Sequence, residues 1–303
     1  MKRYFSLILL GGIALGLLLP IDLGESLKNI IWAELFVIIL LSYFQMDLDL
    51  AQLRAQSWRL IVFYIVRFLI LPSLLFWLSR PLGGFYSQGV FLLALLPVGV
   101  TAPALTALFK GKMELSLILL IFSSMLTPLV MPFSSQLVLG NVLEIDAWAM
   151  LTTLAFTIVL PFIIYLPLRK RSKVVAWARR VNTPVVVILM SGFVILISAQ
   201  NRELIFANPI TLLWHVLVAA GIYALFYLLG WWIFPFAERS NRISLSFASG
   251  ANNIALGLAV GYSYFSPDIG FFFVAAQLVW TLMLAPVQRL IATERSPKEE
   301  IKR

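Results

Sequence analysis

Long apolar stretches follow one another along nearly the whole chain, and this succession limits its folds more than any other feature. A bilayer core about 30 Å thick is crossed by roughly 20 apolar residues in a helix, and in lipid the backbone must meet its own hydrogen bonds. Ten such stretches can be drawn, over residues 4–20, 28–45, 58–79, 87–109, 114–138, 147–168, 183–199, 210–236, 243–264 and 269–291. Charged residues make up 12% of the 303 positions, against about 25% in soluble domains, so no soluble domain of useful size fits between the spans. The pattern predicts an all-α polytopic membrane protein.

Loop charge orients it. Lys2 and Arg3, Arg54 and Arg59, Lys110 and Lys112, the run from Arg169 to Arg180, Arg239 and Arg242, and the tail from Arg289 fall on one side. Asp22 and Glu25, Arg80, Glu144 and Asp146, Arg202 with Glu203, and Asp268 fall on the other. Basic loops stay in the cytoplasm. Both termini are therefore expected inside the plasma (inner) membrane. The net charge of +9 follows from this topology and is no nucleic-acid signal. The opening MKRYFSLILLGGIALGLLLP has the look of a signal peptide but lacks a small-x-small cleavage site, and reads as a retained first helix.

One span contradicts its surroundings. Within Ile243–Phe265 the chain reads SLSFASGANNIAL, which puts Ser246, Ser249, Gly250, Asn252 and Asn253 at membrane depth. Polar groups there must be answered by hydrogen bonds, and Gly followed by two Asn is poor helix material. The stretch reads as a helix that opens partway across and faces a cavity, or else as a tight contact through small residues.

The basic loop after Arg169 falls near the middle, so five spans on either side have opposite orientations. PVGVTAPALTALFKGKMELSLILLIFSSMLTPLVMP in spans four and five answers SFASGANNIALGLAVGYSYFSPDIGFFFVAAQLVWTLMLAPVQ in spans nine and ten. Each has a small or polar break, an apolar half-helix, a turn and a second span. Pro103 disturbs the turn before it, which places interruptions near Thr101–Pro103 and Gly250–Asn253. The expected domains are two inverted five-helix repeats, 1–140 and 145–292, with 293–303 as a cytoplasmic tail. Paired interruptions in inverted halves point to a substrate site.

These segments resemble the bile acid:sodium symporter family and, more distantly, its arsenite-permease and auxin-carrier relatives. The resemblance rests on FQMDLDLAQLRAQSWRL, RFLILP, LFKGKMELS and FASGANNIALGLAV, in that order. It implies a panel of spans one, two, six and seven, and a core in which spans four and nine cross near the midplane. It also implies sodium ligands at positions that here hold Arg67, Ala102, Pro103, Leu120 and Ala248, while Ser116 and Asn252 remain compatible with an ion. That loss argues against sodium coupling. No other cofactor and no metal site is expected.

Arg67 is the most informative charge, because an Arg at mid-span costs about 2.5–3.5 kcal/mol to insert. No acid is read deep in any span, so its partners are expected among backbone carbonyls at the broken-helix ends, water or a bound anion. The expected substrate-binding residues are Arg67, Thr101, Pro103, Thr106, Ser249, Asn252 and Asn253. His215 reads as a packed residue. No enzyme constellation is present: no carboxylate pair, no His with an orienting acid, no phosphate-binding loop, and no cysteine at all. The expected function is secondary transport of a small organic anion by alternating access, with the lipid bilayer as surroundings and no obligate protein partner. The alternatives are a non-transporting receptor or sensor of the same fold, and an arsenite-type permease.

Overall fold

The computed structural model describes residues 5–20, 26–45, 57–140 and 145–293. The motif at 46–56, the acidic loop residues Asp22, Glu25 and Glu144, and the tail beyond 293 lie outside the described residues. The described chain is helical throughout, and its only β pairing is one isolated bridge. The helices are α1 (Phe5–Leu18), α2 (Ser26–Tyr43), α3 (Ser57–Tyr64), α4 (Leu71–Ser79), α5 (Gly84–Leu95), α6 (Ala102–Leu108) and α7 (Met113–Leu139). They continue as α8 (Ala147–Leu154), α9 (Leu160–Leu168), α10 (Ser172–Gln200), α11 (Arg202–Ala207), α12 (Pro209–Trp232), α13 (Arg239–Gly250), α14 (Ile254–Tyr264) and α15 (Pro267–Thr293).

Two π turns join helices into longer rods. Ile65–Ile70 links α3 to α4, and Ala155–Val159 links α8 to α9. In each, an N–H reaches back five residues: Leu71 to the Val66 carbonyl, and Leu160 to that of Ala155. In both, a proline, Pro72 or Pro161, stands beyond the turn with one residue between. A proline inside a helix lacks its donor and collides with the carbonyl four residues back, and widening the preceding turn relieves both faults.

Four rods are long and apolar enough to cross a membrane unaided: Trp58–Leu82, Met113–Leu139, Ala147–Leu168 and Pro209–Trp232. A fifth, α10, bends by 45° between Asn182 and Pro184. Asn29–Tyr43, Gly84–Leu95, Ile254–Tyr264 and Asp268–Met283 are shorter apolar helices. Two of these, α5 and α14, adjoin non-helical breaks at residues 96–101 and 251–253.

Two neighbourhoods of helices can be followed in the packing, joined where α7 packs on α8 and α2 on α14. In one, α1 and α2 lie along α10, and α2 also meets α9. Gly12 and Gly16 let α1 come close to α10, where a Cβ on Gly16 would run into the Ile195 carbonyl, the small-residue contact that substitutes for hydrophobic association in lipid. In the other, α12 packs on α13 and α15, α4 on α5, α6 and α13 on α7, and α14 on α15. Arg179 ties the first neighbourhood's basic end, its Nε donating to the Phe44 carbonyl at 2.9 Å.

Two expectations need correction. The first interruption, expected near Thr101–Pro103, includes Thr101 but begins earlier: α5 ends at Leu95, the chain is non-helical over residues 96–101, and Pro103 lies in the first turn of α6. Pro is tolerated there because that N–H has no helical partner in any case. Pro97, inside the break, is the residue that stops α5. Second, an acid does lie deep in a span. Glu34 is at the middle of α2, with Oε2 buried and without a hydrogen-bond partner.

Candidate functional site at the helix crossing

The two interrupted helices meet at their breaks. Leu96 turns the chain into extended backbone (φ −61°, ψ 135°) after α5, and Ala251 leaves the helical region after α13 (φ −94°, ψ 87°). Val98 and Asn252 then pair as an antiparallel bridge. Gly99 N–H donates to the Ala251 carbonyl at 2.5 Å, and Asn253 N–H to that of Pro97 at 2.9 Å. Gly99 is required by this approach, since a Cβ there would stand 2.7 Å from the Asn252 carbonyl oxygen. Each break thus satisfies the backbone groups that the other exposes, the condition for non-helical chain at membrane depth.

Arg67 joins the same point from the π turn. Its Nη1 donates to the Ala94 carbonyl at 2.7 Å, and Nη2 and Nε donate to the Ser249 carbonyl at 2.9 and 3.1 Å. Nε also reaches Ser249 Oγ at 3.0 Å, and Nη2 reaches Asn252 Oδ1 at 3.2 Å. Asn252 passes the link on, its Nδ2 donating to the Leu93 carbonyl at 2.9 Å. The guanidinium lies 3.7 Å from the Phe226 ring centroid and 4.9 Å from that of Phe68, and the whole residue is 0% exposed. Ala94 and Ser249 are each the penultimate residue of their half-helix. A helix carries about −0.5 charge at its C-terminal end, so two such ends together offset about one guanidinium.

On another side of the crossing is a narrow cleft, closed down to about 10 Å³, room for a single water. Val100 from the first break and Asn253 from the second line it, with Leu120 and Ser124 of α7. Ile39, Ser42 and Tyr43 of α2 and Ile158 of the second π turn face them. The cleft therefore lies between the two neighbourhoods of helices. Asn253 also caps α14, its Oδ1 accepting from Leu256 N–H at 3.2 Å.

The expected site residues divide into groups. Arg67, Ser249 and Asn252 come together in one network, and Asn253 lies at the cleft. Thr101 precedes α6 without capping it and is half-buried. Pro103 is buried, and Thr106 points toward the α6–α13 contact near Gly111 and Ile243, its hydroxyl buried without a partner. Ser116 lies in α7, and its hydroxyl too is buried without a partner. Arg67 does not line the cleft. Sequence reasoning missed Ser42, Tyr43 and Val100, and took the Ser124 hydroxyl for one returned to its own helix, because inside apolar spans nothing local tells a cavity face from a packed one. Phe226 gave no signal either. His215 is packed as expected, stacked on Phe85 with Nδ1 3.0 Å from the Tyr86 hydroxyl.

An all-helical chain with apolar membrane-crossing rods, and a polar network where two broken helices meet, is a multi-pass integral membrane protein built around that crossing. The profile of the Sodium Bile acid symporter family matches residues 33–208, more than half of the chain, and the protein belongs to that family. It is similar to the uncharacterized protein YbaS of Bacillus subtilis (strain 168), at 23% identity over 191 residues that span 60% of each chain. It is also similar to the uncharacterized sodium-dependent transporter YocS of the same organism, at 26% identity over 224 residues covering 72% of this chain and 69% of the relative.

Proposed function

We propose that the protein is a secondary transporter that carries a small organic anion across the plasma membrane by alternating access and is not driven by sodium. The observation that carries this reading is the pairing of the two broken helices, with the narrow cleft beside it. Residues from both breaks, Val100 and Asn253, line one side of the cleft, and α2 with the second π turn lines the other. Motion of α1, α2 and α8–α10 against the remaining helices would open that cleft to one face of the membrane and then the other. The reading treats these groups as panel and core, and the chain as ten spans in two inverted repeats, 1–140 and 145–292, with cytoplasmic termini. The mutual pairing of the two breaks supports this symmetry.

Anion preference follows from which helix ends meet which partner. The C-terminal ends of α5 and α13 are taken up by Arg67, while the amino-terminal end of α14 begins at Asn253, on the cleft. Amino-terminal ends carry the positive end of the helix dipole and suit a carboxylate or a similar group. Asn253, with Ser42 and Ser124, would supply the neutral hydrogen bonds. Against sodium stand Ala102, Leu120 and Ala248, all buried and without a side-chain oxygen to offer.

The test is a thermal-shift screen of the purified full chain with small carboxylates, sulfonates and their neutral analogues, in sodium and in choline buffers, followed by uptake of any hit into proteoliposomes. Saturable stabilisation by anions, equal in both buffers, and uptake are the expected results. A hit set of neutral molecules only, or stabilisation that needs sodium, overturns the reading. Binding without uptake makes the protein a receptor.

A further inference from the structure

We infer that Arg67 is a built-in cation of the crossing, a tethered charge that makes a free metal cation at the half-helix ends unnecessary. Two helices that stop at mid-membrane leave their last carbonyls without helical partners, and both ends carry negative partial charge. Such a place must hold a cation or donors. Here Ala94 and Ser249 occupy the same position in their half-helices, and one guanidinium serves both carbonyls at 2.7 and 2.9 Å.

The chain is arranged to keep the guanidinium there. The π turn at Ile65–Ile70 widens the helix at Arg67 itself. Phe226 lies at cation–π distance of the group, with Phe68 also in range. Asn252 accepts from Nη2 with its oxygen and donates to the Leu93 carbonyl with its nitrogen, which fixes the orientation of its amide. A planar fork of donors suits acceptors that come from separate directions, and a lysine's point charge does not. A solvated ion could leave this position during a transport cycle, whereas Arg67 is covalently held and fully buried. The positioning role stands on these contacts alone; that it removes a coupling ion rests on the transporter reading above.

The experiment measures melting of the purified full chain in choline buffer for wild type, Arg67→Ala and Arg67→Lys. Each is repeated with added sodium chloride and with methylguanidinium chloride at sub-denaturing concentration. Wild type is expected to be indifferent to both additions. Arg67→Ala should melt several degrees lower and be restored saturably by methylguanidinium, and in part by sodium, which now has carbonyls to bind. Arg67→Lys should melt between the two and ignore sodium. The inference is overturned if Arg67→Ala melts like wild type, if no cation restores it, or if wild type itself is saturably stabilised by sodium. Should Arg67→Ala fail to fold, the wild-type and Arg67→Lys titrations still decide, since a sodium response in either contradicts a sufficient tethered charge. None of these readouts uses a transported ligand, so failure of the anion screen leaves them untouched.

Discussion

The two breaks do the same job with different chemistry. The first, over residues 96–101, works through backbone: Pro97 withholds a donor, and Gly99 brings the chain against its partner. The second, over residues 251–253, is shorter and works through side chains. Asn252 bridges Arg67 to the Leu93 carbonyl, and Asn253 caps α14 while facing the cleft. Arg67 draws on the backbone of both half-helices but on side chains of the second segment only, those of Ser249 and Asn252. A membrane crossing can therefore be built from shape on one strand and from amide chemistry on the other. The first break should tolerate no added bulk, whereas the second should respond residue by residue.

The sharpest way to break that contrast is Gly99→Val. Its Cβ would meet the Asn252 and Ala251 carbonyl oxygens at 2.7 and 2.9 Å, and neither can retreat without losing the bridge. Forcing bulk into a packed site costs up to about 3 kcal/mol or more, so little monodisperse protein should survive gel filtration. A variant that melts like wild type would show that the crossing is not rigid. Next in size is Asn252→Leu, which keeps the branched shape but leaves the Leu93 carbonyl and one Arg67 donor unanswered. Buried polar groups in that condition cost about 1–3 kcal/mol each, and a clear drop in melting temperature is expected, with no recovery in sodium. The smallest loss is expected for Asn253→Ala. Removing the cap costs about 1 kcal/mol of stability, yet the same change alters the cleft, so ligand-induced stabilisation should fall by more than the melting point does. Equal losses in the two measurements would make Asn253 a cap and nothing else.

The helical class, the apolar rods and the disturbed ninth span could be read from residue order, because lipid leaves so few ways to satisfy a backbone. The polar residues of SFASGANN were legible for the same reason, and Ser249 and Asn252 do enter the network. The first break was less so. Pro97 and Pro103 are both candidates for ending a helix, and only the tertiary arrangement shows that Pro97 lies in the break while Pro103 starts the next turn. Glu34 went unread because one acid among strongly apolar neighbours hardly lowers the hydropathy of its span.

Sequence by itself determined that Arg67 must find partners inside the membrane, since a bare guanidinium at mid-span is too costly to leave exposed to lipid. It could not say which partners. They are carbonyls of Ala94 and Ser249, which lie 27 and 182 residues away in the chain. A carbonyl belongs to every residue and leaves no mark in sequence; what makes these two special is that their helices stop there and the two ends meet. Only the folded chain brings them together, and with them the choice between a charge offered to a ligand and a charge used to hold the crossing.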